Sequence, residues 1–117
     1  GRVRVQGTIT DNITPLDTTD NVIASVTMTD LLGNPSGTCD PQPAGADFTY
    51  SCVTTAVLSP GEKWSGYVTV TPTNVLPCTA PFVQDAAVRF ERERPNSTVV
   101  QDFEVQNLFG NCIATGL

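Results

Sequence analysis

Four cysteines, Cys39, Cys52, Cys78 and Cys112, are the side chains of this 117-residue sequence best suited to covalent chemistry. They stand far apart, no two form a Cys-x-x-Cys pair, and there is no histidine to complete a zinc shell. That spacing supports disulfide formation, and an even count in a small chain indicates an oxidising compartment. Three pairings are open. Cys39 with Cys52 is favoured because they flank a turn region holding Pro41, Pro43 and Gly45; Cys78 with Cys112 would then fasten the C-terminal part to the body.

Catalytic chemistry is poorly provided for. Without histidine, the usual hydrolase triad and general-base work near neutral pH lose their commonest member. Twelve acids offer many nominal carboxylate pairs, but several, Asp11, Asp20, Asp40 and Glu62 among them, stand beside Asn, Gly or Pro, where turn formation explains them. We therefore expect no enzyme and no resident cofactor. The single lysine, Lys63, lies between Glu62 and Trp64 at a turn exit. An internal Lys–Asn or Lys–Asp crosslink is the one reaction open to it, and a solvated strand end is the favoured reading.

Binding chemistry has several candidates, each with a plainer explanation. Asp11, Asp17 and Asp20, with Asn12 and Asn21, offer hard oxygen ligands to calcium. They lack the spacing of an EF-hand loop, and a long turn with Asx bonds is favoured. Asn12-Ile13-Thr14 and Asn96-Ser97-Thr98 are glycosylation sequons, the second at an expected hairpin tip. Trp64 and Tyr67 are candidate sugar contacts, although Trp64 shares its face with Val68 and Val70, which favours core packing. Arg89, Arg92 and Arg94 are interleaved with Glu91 and Glu93, a mixed-sign run suited to cross-strand pairing. With a net charge of −6 and no basic cluster, nucleic acid is a poor partner.

The elements that would position these residues are strands. Thr and Val are abundant, and the chain has one Met and one Lys, a mixture that favours pleated structure over helix. Residues 2–10 place Val3, Val5 and Ile9 on one face, with Arg2, Arg4, Gln6, Thr8 and Thr10 on the other. Val22, Ala24, Val26 and Met28 form a second inward set, Phe48, Tyr50 and Cys52 a third, and Trp64, Gly66, Val68 and Val70 a fourth. The segment from Pro72 to Pro81 is expected to be a proline-rich loop carrying Cys78, unable to form a central strand. Residues 86–92 and 98–106 read as a hairpin turning at 94–97, with Gln101 the single polar intruder beside Val99, Phe103 and Val105. Six or seven short strands between Pro, Gly and Asn connections predict an all-β, immunoglobulin-like two-sheet sandwich. It would be stapled by disulfides and form a single domain over 1–117.

From Val22 to Thr73 the chain carries VTMTDLLG, then FTYSC, then VLSPGEKWSGYVTVTPTN. This rhythm resembles the conserved-repeat, immunoglobulin-like modules of bacterial and archaeal cell-surface proteins. Those modules run from a Val-Thr-hydrophobic-Thr-Asp segment through a Leu-x-Pro-Gly-Glu turn into a Val-Thr-Val strand. The resemblance implies stalk, wall, adhesin or appendage work and supplies no catalytic residues.

No apolar run approaches the roughly 20 residues needed to cross a bilayer, and no leader-like segment opens the chain, so it is read as soluble or released from a precursor. The expected function is that of an extracellular structural or adhesive subunit, assembling with itself or other surface proteins. Val3, Val5 and Ile9 mark residues 1–10 as a candidate donor strand for exchange between copies, against the favoured reading that they pair within their own domain. The alternative function is a secreted glycan- or protein-binding module using Trp64, Tyr67 or the loops.

Overall fold

The computed structural model describes residues 1–11, 23–40, 47–59, 62–72, 77–85, 97–105 and 112–115. Nine strands are present among them: β1 (Val3–Asp11), β2 (Ile23–Asp30), β3 (Gly37–Cys39), β4 (Asp47–Thr54), β5 (Lys63–Pro72), β6 (Cys78–Asp85), β7 (Ser97–Val100), β8 (Asp102–Val105) and β9 (Cys112–Thr115). They form two sheets. One runs β3-β4-β1-β8-β9, with β7 also paired to β1; the other runs β2-β5-β6. Among the described residues no helix is long and apolar enough to cross a membrane.

Period-2 alternation accounts for the clearest elements. In β1, Val3, Val5 and Ile9 are buried while Arg4, Gln6 and Thr8 are exposed. In β5 every second residue from Trp64 to Pro72 is buried. These inward faces contribute to one shared hydrophobic cluster, in which Val3, Val5, Tyr50, Cys52 and Phe103 from the first sheet join Met28, Trp64, Val68 and Val70 from the second. Burial of apolar surface of this kind is the main favourable term in folding.

Three expectations need correction. The alternation predicted for Val22, Ala24, Val26 and Met28 does not run unbroken. Ile23 faces Pro72 while Ser25 faces Thr71, so β2 carries one extra residue, a bulge that brings Ile23 into the core with Met28. Cys78 does not lie in a loop but opens β6, which accommodates Pro81 because it is the edge of its sheet, where a missing N–H costs no ladder bond. The strand count exceeds six or seven because β3 and β9 are too short to show as sequence patterns and the segment 97–105 is split at Gln101.

The cysteines pair as favoured. Cys39 and Cys52 face each other across β3 and β4 with Cα atoms 4.0 Å apart. Asp40 N donates to Ser51 O and Thr55 N to Ser36 O, so the intervening Cys39–Cys52 position is of the non-hydrogen-bonded kind, the closer of the two cross-strand geometries. Cys78 and Cys112 stand 5.1 Å apart at Cα and join β6 of one sheet to β9 of the other.

Two turns are closed by side chains. The Asp30 carboxylate accepts from the N–H groups of Leu32 and Asn34, each at 2.9 Å; the Asn34 amide foremost holds its pKa below the usual value. Glu62 N donates to Ser59 O while the Glu62 carboxylate accepts from Ser59 N, both at 3.0 Å. Ser97, expected to end a turn, opens β7. The strand expected at 86–92, turn residues 94–96 with Asn96, and Asn12, Asp17 and Asp20 lie outside the described residues, as does the side chain of Asp11.

Candidate functional site: the seat of the first strand

β1 occupies an interior position of its sheet, antiparallel to β4 on one side and parallel to β7 and β8 on the other. Parallel neighbours cannot be joined by a tight turn. Here β4 comes from the middle of the sequence and β7 and β8 from beyond residue 96, so β1 lies in a seat built by residues remote from it in sequence.

The β4 flank grips the start of the strand. Val3 N donates to the Thr54 hydroxyl at 3.1 Å, and that buried hydroxyl donates onward to Ala56 O at 3.1 Å. Leu58 N donates to Gly1 O at 2.7 Å, and the Gly1 amine donates to Leu58 O at 3.2 Å. Arg4 Nη1 donates to Ser51 Oγ on the outer face.

The opposite flank contains a break. Gln6 faces Val100 and Ile9 faces Phe103, so the register is continuous and Gly7 comes opposite Gln101. In an unbroken parallel ladder, Gln101 would donate to Gln6 O and accept from Thr8 N. The first bond is present at 2.9 Å, but the second is not: Thr8 N donates instead to Asp102 Oδ1 at 2.9 Å, as does the Thr8 hydroxyl at 3.0 Å. The Gln101 carbonyl has turned to accept the buried Tyr50 hydroxyl. The Asp102 carboxylate thus replaces a main-chain acceptor, and every polar group released by the turn has a partner.

Gly7 makes this arrangement possible. A Cβ at position 7 would overlap the Gln101 carbonyl oxygen and lie 2.6 Å from its carbon, contacts with main chain that no side-chain rotation relieves. Tyr50 also packs on Phe103, with ring centres 5.6 Å apart and planes tilted by 59°. Burial, reinforced by the charge of Asp102, raises the Tyr50 pKa above its usual 10. The folded state therefore holds the phenolic proton more tightly than the unfolded chain, and stability should fall as pH rises past about 10. Tyr50→Phe is expected to cost about 1–3 kcal/mol, because the Gln101 carbonyl loses its donor while buried, and to remove that part of the alkaline decline. Urea unfolding at pH 7 and pH 11 checks both; a variant as stable as the parent at pH 7 would show that the hydroxyl is not needed.

Over the outer side of this seat lies an open hollow of about 410 Å³, bordered by Gln6, Thr8, Asp40, Thr49, Ser51 and Asp102. Its walls are mixed, because Gly7, Tyr50 and Val100 border it as well. The Asp102 carboxylate there already accepts two donors from Thr8, which commits it to holding β1.

The other expected site residues are dispersed. Trp64 is only 7% exposed and belongs to the core, its ring filling the space that Gly66 leaves open, so it offers no face for a sugar to stack on. Tyr67 is half-buried opposite Pro81 in the second sheet. Lys63 is exposed at the start of β5, without the desolvated setting that makes a lysine nucleophilic. Val3, Val5 and Ile9 are brought together as an inward face, paired within their own sheet. Gly7, Tyr50, Thr54 and Asp102 did not stand out in the sequence as parts of a site. The available signals were a glycine interrupting an otherwise apolar inward face and the polar Gln101 opposite it.

No protein-family model, curated protein or solved structure matches the chain.

Proposed function

We propose that this chain is a non-enzymatic structural or adhesive subunit acting outside the cell, in a surface filament or layer, and that copies join by exchanging residues 1–10. The seat of β1 carries this reading. It is an interior slot flanked on both sides by strands distant in sequence, filled by the first strand of the chain, whose Val3, Val5 and Ile9 are at most 1% exposed. An identical strand from a second copy would find the same apolar contacts and main-chain partners there, which is the basis of assembly by strand addition. The two cysteine pairs and the Thr-rich composition support an oxidising, extracellular setting, and the two sheets are read as a variant of the immunoglobulin-like sandwich. The glycan-binding alternative is weakened by the burial of Trp64.

Sedimentation velocity over a wide range of protein concentration, with electron microscopy of the same samples, tests the proposal. Concentration-dependent oligomers or fibres, capped by an excess of free peptide comprising residues 1–11, are expected. A monomer at every concentration and an absence of fibres in native material would refute it.

A further inference from the structure

The seat is more selective than an apolar slot. Its inward positions take Val3, Val5, a third residue and Ile9, and at the third position the turned Gln101 carbonyl occupies the space where a side chain would begin. That carbonyl is not free to swing away. Its oxygen accepts the Tyr50 hydroxyl, and the acceptor it would otherwise offer Thr8 N has been supplied by Asp102. Relieving a clash at position 7 would require the Gln101 carbonyl to leave the Tyr50 hydroxyl and intrude on the Thr8–Asp102 contacts. The next position is read as well, since Thr8 donates to Asp102 through both its N–H and its hydroxyl.

We infer that the notch formed by Gln101, Tyr50 and Asp102 is a register and identity key: it admits a strand only where glycine follows two inward aliphatic residues and precedes a third. This rests on the strand-exchange reading and specifies the partner as a second copy of this chain. Among the nine glycines of the sequence, Gly7 alone has aliphatic residues four and two positions before it and two positions after it, namely Val3, Val5 and Ile9. A strand slipped by two residues would place Val5 or Ile9 over the carbonyl. A slip by one would turn the apolar set away from the core. The notch rejects the first error and the core the second, so Gly7 acts as a specificity-determining residue in whichever copy donates the strand.

The intact chain, refolded from denaturant in the presence of millimolar fluorescent peptide, tests this directly. One peptide comprises residues 1–11 and the other is the same with Gly7→Val. The natural peptide should be retained on the refolded protein at least about tenfold better than the variant, the ratio expected of a main-chain overlap. Equal retention of the two would overturn the key and leave strand exchange standing. Retention of neither would overturn both, because the seat would then accept no strand in trans. A second measurement uses the full chain carrying Gly7→Val, whose seat is unchanged but whose own strand no longer fits. Its unfolding midpoint should fall well below that of the parent. Recovery of the midpoint with the natural peptide but not with the Gly7→Val peptide supports the key. A variant chain as stable as the parent refutes it.

Discussion

Replacing Cys78 and Cys112 together by serine is expected to lower the unfolding free energy by about 4 kcal/mol, the loop-entropy value for a bridge spanning 34 residues. The local bridge between Cys39 and Cys52, spanning 13 residues, should contribute about 3 kcal/mol on the same reasoning. Topology adds to the difference. β3 and β4 are hydrogen-bonded neighbours within one sheet, so their bridge reinforces a pairing that already exists. The Cys78–Cys112 link instead joins edge strands of different sheets, and β9 is otherwise held by four register pairs to β8. Against a net stability of about 5–15 kcal/mol for a typical domain, losing the longer bridge removes a large fraction. Urea titration of the two double variants gives the comparison; a larger loss for Cys39 and Cys52 than for Cys78 and Cys112 would contradict this assignment of roles.

Phe103→Ala should cost about 3–5 kcal/mol, comparable with the longer bridge. Phe103 is fully buried, packs against Tyr50, and lies opposite Ile9 in the parallel ladder, so truncation opens a cavity on the break side of the seat. Because Tyr50 holds the Gln101 carbonyl, a loosened ring at 103 should also weaken that contact. The effects of Phe103→Ala and Tyr50→Phe should therefore be non-additive, with the double variant losing less than the two single losses together. Equilibrium unfolding of the four proteins in the cycle measures this. Strict additivity would show that the two rings act independently.

How far the site could be read from sequence differs from strand to strand. Val3, Val5 and Ile9 in β1, and Trp64, Val68 and Val70 in β5, announce their inward face because alternation is a property of the local pleat. The bulge in β2 was invisible, since an extra residue is defined only against the register of β5. β6 was obscured by Pro81, which forbids an interior strand but not an edge, and edge status depends on what lies alongside. Gln101 is a visible irregularity in its segment, but nothing local marks Gly7 as its partner or shows that the two face each other.

Residue types and their order suffice for the strand-forming character, the inward faces of β1 and β5, and a cysteine spacing that favours one local and one long bridge. The place of β1 between β4 and the β7–β8 segment, and the turn of the Gln101 carbonyl toward Tyr50 beneath Gly7, arise only in the folded molecule. The difference is one of range. Side-chain alternation is set by the pleat of each residue and its immediate neighbours. A parallel pairing between the beginning and the end of a chain emerges only when distant segments share one core and satisfy each other's main-chain hydrogen bonds.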